Sequence, residues 1–173
     1  LAWMAAATLV LPEQPDFPRL GLLVFSLMVG SLGLVGALVV TRQPRNPIGW
    51  ILWVAATMVT MATVGDFAVL AIDDAGRAPA GAIFLAWLSQ LMLIPAMAGV
   101  IILVPLLFPD GRLLSPRWRW VVVLTVTSIG VSVIPDAFGP GPMAEYPTLD
   151  NPFGIEAAAA MTGIADAANA LSV

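Results

Sequence analysis

The chain has 173 residues and contains no cysteine, no histidine and no lysine. The absence of cysteine excludes disulfides and thiolate metal sites, and it leaves the redox compartment undecided. The absence of histidine excludes a Ser-His-Asp catalytic triad, a histidine zinc site and a phosphorylated histidine within this chain. Arginine therefore carries the positive charge of every basic side chain.

Charge of either sign is scarce. Charged residues make up 10% of the chain and hydrophobic residues 60%, whereas a soluble domain has about 25% charged residues. So few charges cannot cover the surface of a soluble protein, but no such cover is needed in lipid. The largest basic cluster consists of Arg112, Arg117 and Arg119, which is too few for a nucleic-acid interface.

Long hydrophobic runs take the place of charge. Leu20–Thr41 and Ala78–Pro109 contain no charged residue, and Asn46–Ile72 contains only Asp66. About 20 apolar residues are enough for a helix to cross the hydrocarbon core of a bilayer. The runs therefore predict an all-α fold, a polytopic bundle of transmembrane helices with the lipid bilayer as a partner.

The loops between these runs alternate in sign. The loop of Arg42 and Arg45 is basic, and the loop 109–119 is net basic. Because cytoplasmic loops carry an excess of basic residues, both are predicted to lie in the cytoplasm, in a multi-pass protein of the cell membrane. The loops on the other side are acidic, with Glu13 and Asp16, then Asp73 and Asp74, then Asp136, Glu145, Asp150 and Glu156.

This pattern divides one membrane region, residues 1–173, into segments. The end of a truncated helix is expected at 1–11 and the start of a further helix at 157–173, so that the chain is a piece of a longer protein. Pro95 is predicted to kink the crossing at 81–108, which at about 42 Å is longer than the hydrocarbon core of a bilayer, about 30 Å. The complete crossings are predicted at 20–41, 48–72, 81–108 and 120–134, with an outer loop at 135–156.

Aromatic and basic residues flank two crossings at their predicted cytoplasmic ends. An indole N–H at this boundary can reach lipid headgroups, and an arginine can extend to them while its stem stays in apolar surroundings. The predicted interface anchors are Trp50, Trp53, Arg117, Trp118, Arg119 and Trp120.

Four small residues, Ser26, Gly30, Gly33 and Ala37, fall on one face of the first complete crossing. Small faces let helix backbones approach closely in lipid, where no hydrophobic effect drives helix association. We favour packing within the chain for this face, and the alternative is a dimer seam.

Three polar residues inside the crossings are candidates for ligand or proton sensing, Asp66, Thr63 and Gln90. An ionisable residue within a membrane is a functional hypothesis by default, and Thr63 lies one helical turn from Asp66. The alternative for Asp66 is a carboxylate at headgroup level, hydrated or paired with Arg77. For Gln90, with Ser89, we favour a structural hydrogen bond between helices.

No metal or cofactor site is predicted. Asp73 and Asp74 could hold a hard cation together with Glu145 or Asp150, but calcium takes six or more oxygen ligands, so a solvated turn is favoured. The chain contains no glycine-rich phosphate loop of the Walker A or kinase type.

The residues of the predicted cytoplasmic turn motif are Phe108, Pro109, Asp110, Gly111 and Arg112. Pro109 ends the preceding helix, and Asp110-Gly111 favours a turn because glycine is free to take a positive φ. Such a turn would hold the helices in register while they move, or it is only a well-formed loop with anchoring arginines.

Two segments at this separation resemble a known family. Arg45–Trp50 enters one crossing from the predicted cytoplasmic side, and Leu107–Arg119 links two crossings there. Together with Asn151–Ile155, they are similar to the N-terminal membrane region of actinobacterial sensor histidine kinases of two-component systems. The resemblance covers about residues 45–155.

The resemblance implies that the chain perceives a stimulus in the membrane and relays it by helix repacking to a cytoplasmic kinase domain outside this sequence. It also implies a homodimer formed through the full-length protein, a response regulator as partner, and ATP and Mg²⁺ bound only by the kinase domain. No catalytic residue and no activity are expected in this chain. The alternative is a small membrane transporter or channel subunit, with Asp66 and Gln90 lining a path.

Overall fold

The computed structural model describes residues 19–63, 65 and 78–158. Within these ranges the regular elements are all helices and no strand forms, so the all-α prediction is confirmed. Three helices are long and apolar enough to cross a membrane, namely Leu20–Arg42, Ala80–Leu107 and Pro116–Phe138. The molecule is a membrane protein built as a helix bundle.

The described residues form six α-helices, of which three belong to one span, and successive spans run towards opposite ends of the bundle. We call the end that holds residues 139–158 the cap end, and the end that holds residues 43–46 and 108–115 the turn end. The helices are α1 (Arg19–Arg42), α2 (Pro47–Ala62), α3 (Ala80–Gln90), α4 (Leu93–Ala98), α5 (Val104–Leu107) and α6 (Arg119–Phe138), with a π-helical turn at Gly99–Leu103 and 3-10 turns at Pro116–Trp118 and Glu156–Ala158.

The predicted crossing 20–41 lies within α1, and α2 occupies the first part of the predicted crossing 48–72. Asp66, with Asp73, Asp74 and Arg77, lies outside the described residues, and so does the predicted segment 1–11. Of the further helix predicted at 157–173, only residues 157 and 158 are described, and they belong to the 3-10 turn Glu156–Ala158. The sensing role predicted for Asp66 therefore stays a prediction.

The turn between α1 and α2 is fixed by Asn46 and Pro47. The Asn46 side-chain oxygen accepts a hydrogen bond of 3.0 Å from the backbone N–H of Ile48 and so caps the first turn of α2. Pro47 occupies the first helical position, where its missing N–H costs nothing and its fixed φ already suits the helix. Both residues set the place where the chain turns back.

Helices α1 and α2 pack closely through glycine. A Cβ atom on Gly33 would lie 3.1 Å from Ala56 Cβ, and one on Gly36 would lie 2.5 Å from the backbone nitrogen of Trp53. Ser26 is buried, and its hydroxyl donates to the Leu22 carbonyl oxygen at 2.7 Å. Gly33 of the small face therefore meets α2 within the chain, and Gly36, which the predicted set omits, makes the tighter of these two contacts.

The third span, Ala80–Leu107, is a continuous apolar segment but not a continuous α-helix. It is interrupted at Leu91–Met92, and the interruption lies four residues before Pro95. A proline ring clashes with the carbonyl four residues earlier and provides no N–H for it, so the break agrees with the predicted kink. A second departure from α-helix is the π-helical turn Gly99–Leu103.

Helix α6 extends further than predicted. The sequence suggested that the crossing ends at Ile134 and that Pro135 opens a loop, but the helix continues through Pro135 to Phe138. Pro135 removes a single N–H from the helix, and its carbonyl still accepts from Gly139 N at 2.6 Å. The side chains of Trp87, Gln90 and Asn151 donate hydrogen bonds to the last carbonyl oxygens of α6. These bonds stabilise the extra turn.

The segment 139–158, which we call the cap, folds back onto α3. Met143, Tyr146 and Leu149 are buried and pack against Ala82 and Ala86. The sequence predicted only an acidic outer loop here, but three apolar side chains spaced three apart give the cap its own small core. The cap closes the bundle over α3.

Asn151 joins the cap to the end of α6. Its side-chain nitrogen lies 3.2, 3.1 and 2.9 Å from the carbonyl oxygens of Asp136, Ala137 and Gly139, and its side-chain oxygen accepts from Phe153 N at 3.0 Å. One amide thus satisfies carbonyls that the helix leaves free.

The variant Asn151→Asp is expected to destabilise the fold by about 2–4 kcal/mol. It keeps the shape of the side chain and the acceptor for Phe153, but it places an anionic oxygen against three carbonyl oxygens. Thermal unfolding of the chain in detergent measures the effect. The neighbouring exposed variant Asp150→Asn is the control, and equal stability of the two variants would contradict the bridging role of Asn151.

Candidate functional site

A cavity of about 250 Å³ lies at the cap end, between the helices and the cap. Helices α1, α2, α3, α4 and α6 and the cap all contribute to its wall, so its shape depends on how the whole bundle packs. Its lining residues are Phe25, Val59, Ala62, Thr63, Ser89, Gln90, Leu93, Ile94, Asp136, Ala144, Glu145 and Tyr146. Two of the predicted sensing residues, Thr63 and Gln90, are thereby brought into one cavity.

Only one of the two polar atoms of the Gln90 side chain has a hydrogen-bond partner among the described residues. Its side-chain nitrogen donates to the Asp136 carbonyl oxygen at 3.1 Å, which links α3 to α6. This fixes the orientation of the amide, because only the nitrogen can donate to a carbonyl. The side-chain oxygen is buried and has no hydrogen-bond partner among the described residues. A buried acceptor without a donor costs about 1–3 kcal/mol.

The nitrogen of Gln90 thus makes the interhelical hydrogen bond that the sequence favoured for this residue. Its oxygen has no hydrogen-bond partner among the described residues, and it is covered, so that a ligand reaches it only when the wall of the cavity shifts. Thr63 differs, since its hydroxyl donates to the Thr60 carbonyl oxygen at 2.8 Å and so uses its proton within its own helix.

Two acidic residues, Asp136 and Glu145, line the same cavity from α6 and from the cap. None of the described residues in its wall is basic. The sequence predicts an outer loop for both acids, with Glu145 as a possible cation ligand beside Asp73 and Asp74 and with no role for Asp136. They meet here because α6 continues to Phe138 and because the cap folds back, and neither event has a local signal in the sequence.

A hydrogen bond between Ser89 and Tyr146 closes the cavity towards α3. The two hydroxyl oxygens are 3.2 Å apart, and the Ser89 hydroxyl also lies 2.8 Å from the Ala86 carbonyl oxygen. Gly65 is buried against this pair, and a Cβ atom at this position would collide with both hydroxyl oxygens. A side chain at position 65 must therefore displace the side chains of Ser89 and Tyr146 or the segment that carries residue 65.

At the turn end, the predicted turn motif lies against the start of α2. Gly111 has a φ of +73°, and its N–H donates to the Leu107 carbonyl oxygen at 2.8 Å. A Cβ atom on Gly111 would lie 2.5 Å from Pro47 Cδ and 2.7 Å from Asn46 Oδ1. The two segments that carry the family resemblance are therefore in contact, although about 60 residues separate them.

A groove of about 570 Å³ runs between these two segments. It carries two arginines, Arg45 and Arg112, and the amide side chain of Asn46, which is committed to capping α2. The groove is lined by Gln43, Pro44, Arg45, Asn46, Asp110, Gly111 and Arg112. We call it the turn-end groove.

The predicted interface anchors lie near the turn end, and the structure revises one of them. The Trp50 indole N–H was expected to reach headgroups, but it donates to the Pro44 carbonyl oxygen at 2.9 Å, since the tight turn places that carbonyl within reach. Trp50 and Trp53 pack edge to face, with ring centroids 6.0 Å apart. The Arg119 guanidinium lies 5.7 Å from the centre of the Trp120 ring.

Arg117 and Trp118 follow Ser115 in the 3-10 turn that precedes α6, and both are exposed. Their positions are compatible with the predicted contact with headgroups. Phe108, which opens the turn motif, is also exposed, next to Pro109.

The geometry thus offers two sites at opposite ends of one bundle, an acidic cavity under the cap and a groove with two arginines at the turn end. Comparison with protein-family models, with curated proteins and with solved structures gives no match to this chain.

Proposed function

We propose that this chain is the membrane-embedded signal-perception region of a sensor histidine kinase of a two-component system. The cap-end cavity would receive the stimulus, and the turn end would pass it to a kinase domain. The observation that carries the proposal is that one interrupted span, Ala80–Leu107, connects the two sites. The similarity of Arg45–Trp50 and Leu107–Arg119 to the membrane regions of such kinases supports it.

The third span is suited to relay a change at the cap end. Its first helix, α3, packs against the cap through Ala82 and Ala86. Ser89 and Gln90 of the same helix line the cavity. The break at Leu91–Met92 and the π-helical turn Gly99–Leu103 follow. Because π turns and breaks lack the regular hydrogen-bond ladder, they are positions at which a helix can change its winding. The span ends next to Phe108, the first residue of the turn motif.

The interior of the bundle favours this proposal over a transport path. Next to the cavity, the buried residues form an apolar cluster that shares Val59 with the cavity wall and consists of Val29, Ala55, Ala56, Val59 and Ala96. A path for a polar solute needs polar side chains or water along its length. The cluster supports a cavity that ends inside the protein, and hence a receptor site.

The turn end is proposed to face the cytoplasm, because its loops carry Arg42, Arg45 and Arg112. Single cysteines can be introduced and labelled in intact cells with a membrane-impermeant reagent, since the chain has no cysteine of its own. We expect labelling at Gly76 and none at Gln43 or Ser115. Labelling at Gln43 or Ser115, with none at Gly76, would reverse the topology.

The proposed function is tested with the full-length gene product in proteoliposomes. We expect phosphate transfer from labelled ATP to a histidine of the protein, and we expect Gly65→Ala, which displaces the wall of the cavity, to change its rate about fivefold or more. Gly81→Ala is the control, because its new Cβ would have no atom within 4 Å apart from its chain neighbours and the backbone of its own helix. Absence of ATP-dependent phosphorylation, or solute uptake that Gln90→Leu abolishes, would favour a transporter instead.

A further inference from the structure

We propose that the cap-end cavity binds a primary ammonium compound with a short apolar body. The inference deepens the proposed function and rests on it for its meaning, because it names the class of molecule that the cavity would perceive. Binding itself can be measured without a kinase domain.

The cavity offers hydrogen-bond acceptors to a ligand. Asp136 and Glu145 contribute carboxylates, and Gln90 contributes a buried side-chain oxygen that lacks a donor in the described part of the chain. All three groups accept hydrogen bonds, and the Gln90 nitrogen is already used by the Asp136 carbonyl. A ligand that fits this set must donate hydrogen bonds and carry positive charge.

The volume of the cavity limits the size of its ligand. A water molecule takes a share of about 30 Å³ in the liquid, whereas the cavity measures about 250 Å³. The space is therefore too large for a bare metal ion, and in the described ranges no three acidic side chains are grouped to hold one. A small organic molecule of several heavy atoms suits the volume.

Part of the cavity wall is apolar. Phe25, Val59, Leu93 and Ile94 line the cavity beside the polar groups. Leu93 and Ile94 are 47% and 42% exposed, so one edge of the cavity is open on the outer surface of the bundle. An alkyl chain can pack there while the ammonium group meets the oxygens. Ligand sites of this kind combine mainly apolar walls with a few placed polar groups.

The ammonium group has three N–H donors, and the three acceptors belong to three different elements, α3, α6 and the cap. An ammonium bound between Asp136 and Glu145 would therefore tie the cap to α6, and it would reach the covered oxygen of Gln90 on α3 when the wall of the cavity shifts. This gives the ligand different contacts in two arrangements of the cap, which is the condition for a ligand to shift a conformational equilibrium.

Isothermal titration of the purified chain in phosphatidylcholine nanodiscs tests the proposal, with empty nanodiscs as the blank. The probes are n-hexylammonium and hexanol, which share the apolar body and differ in the charged donor. We expect n-hexylammonium to bind about tenfold or more tightly than hexanol. Equal affinities of the two probes, or no binding of n-hexylammonium above the blank, would overturn the proposal.

A matched pair of variants tests the place of binding. Glu145→Gln removes one carboxylate of the cavity from an exposed position, so the fold is retained, and we expect n-hexylammonium to bind about fivefold more weakly. Glu156→Gln makes the same change in the same segment but outside the cavity, and it should leave binding unchanged. An equal loss in both variants would show surface charge attraction only and would overturn the site.

The experiments distinguish failure of the ammonium site from failure of the proposed sensor function. Binding of n-hexylammonium without any phosphorylation of the full-length protein leaves the site in place and removes the sensor kinase. Phosphorylation that responds to Gly65→Ala without ammonium binding leaves the sensor kinase and removes this ligand class.

Discussion

Replacing Gly36 by alanine is expected to destabilise the bundle by about 3 kcal/mol. The new Cβ would lie 2.5 Å from the Trp53 backbone nitrogen and 3.0 Å from the Gly49 carbonyl oxygen. Both contacts are with backbone atoms, which cannot rotate away, so α1 and α2 must move apart along their contact. In lipid this separation is costly because helix association there depends on close packing.

Gly130→Ala is the matched control for this experiment. Gly130 also lies inside a helix, α6, but the nearest atom to its new Cβ is Ile134 Cδ1 at 4.0 Å. Alanine should stabilise α6 there by up to about 1 kcal/mol, through its helix propensity. Thermal unfolding in detergent, followed by circular dichroism, compares the two variants. A Gly36→Ala protein as stable as Gly130→Ala would show that the α1–α2 contact is looser than described.

Replacing Gly111 by alanine is expected to detach the turn motif from the start of α2, at a cost of about 2–4 kcal/mol. Two effects add here. The φ of +73° is unfavourable for alanine, and the new Cβ would lie 2.5 Å from Pro47 Cδ and 2.7 Å from Asn46 Oδ1. Because Asn46 caps α2, the disturbance should also reach the first turn of that helix.

Gly141→Ala separates the two effects. Gly141 has a φ of +92°, but no atom lies within 4 Å of its new Cβ. It should therefore show only the backbone cost of about 1–2 kcal/mol. The difference in unfolding free energy between the two variants measures the contact between the turn motif and Pro47. If the difference is zero, the two segments do not support each other.

The helical spans could be predicted from the sequence because the bilayer imposes a strong and simple constraint. A run such as Leu20–Thr41, without charge and longer than the hydrocarbon core, has few alternatives to a helix. The start of α2 was also readable, since Asn46-Pro47 is a cap followed by a proline at the first helical position. The break in the third span follows from Pro95 by local sterics.

The cap and the cavity could not be predicted in the same way. Ser89 meets Tyr146, and Gln90 meets the carbonyl of Asp136, across 57 and 46 residues of chain. Such contacts depend on how the cap folds onto α3, and a single sequence has no periodic signal for that event. Pro135 misled the prediction because a proline usually ends a helix, whereas side chains of Trp87, Gln90 and Asn151 keep the last turn of α6 supplied with donors.

Spin-label distances can report both ends of the bundle in the same protein. The chain has no cysteine, so each introduced pair is unique. Exposed positions are available at the turn end, Thr41 and Leu114, and at the cap end, Ala80 and Thr148. Each pair is recorded in nanodiscs by double electron–electron resonance, in an otherwise unchanged chain and with Gly81→Ala as a neutral control.

The central claim is that the third span transmits a change at the cap end to the turn end, and Gly65→Ala tests it most directly. The substitution acts at the place where Gly65 meets Ser89 and Tyr146. The account predicts that it shifts the distance distribution of the cap-end pair and also that of the turn-end pair. A turn-end distribution identical to that of the unchanged chain, in a protein whose cap-end distances have shifted, would contradict the account.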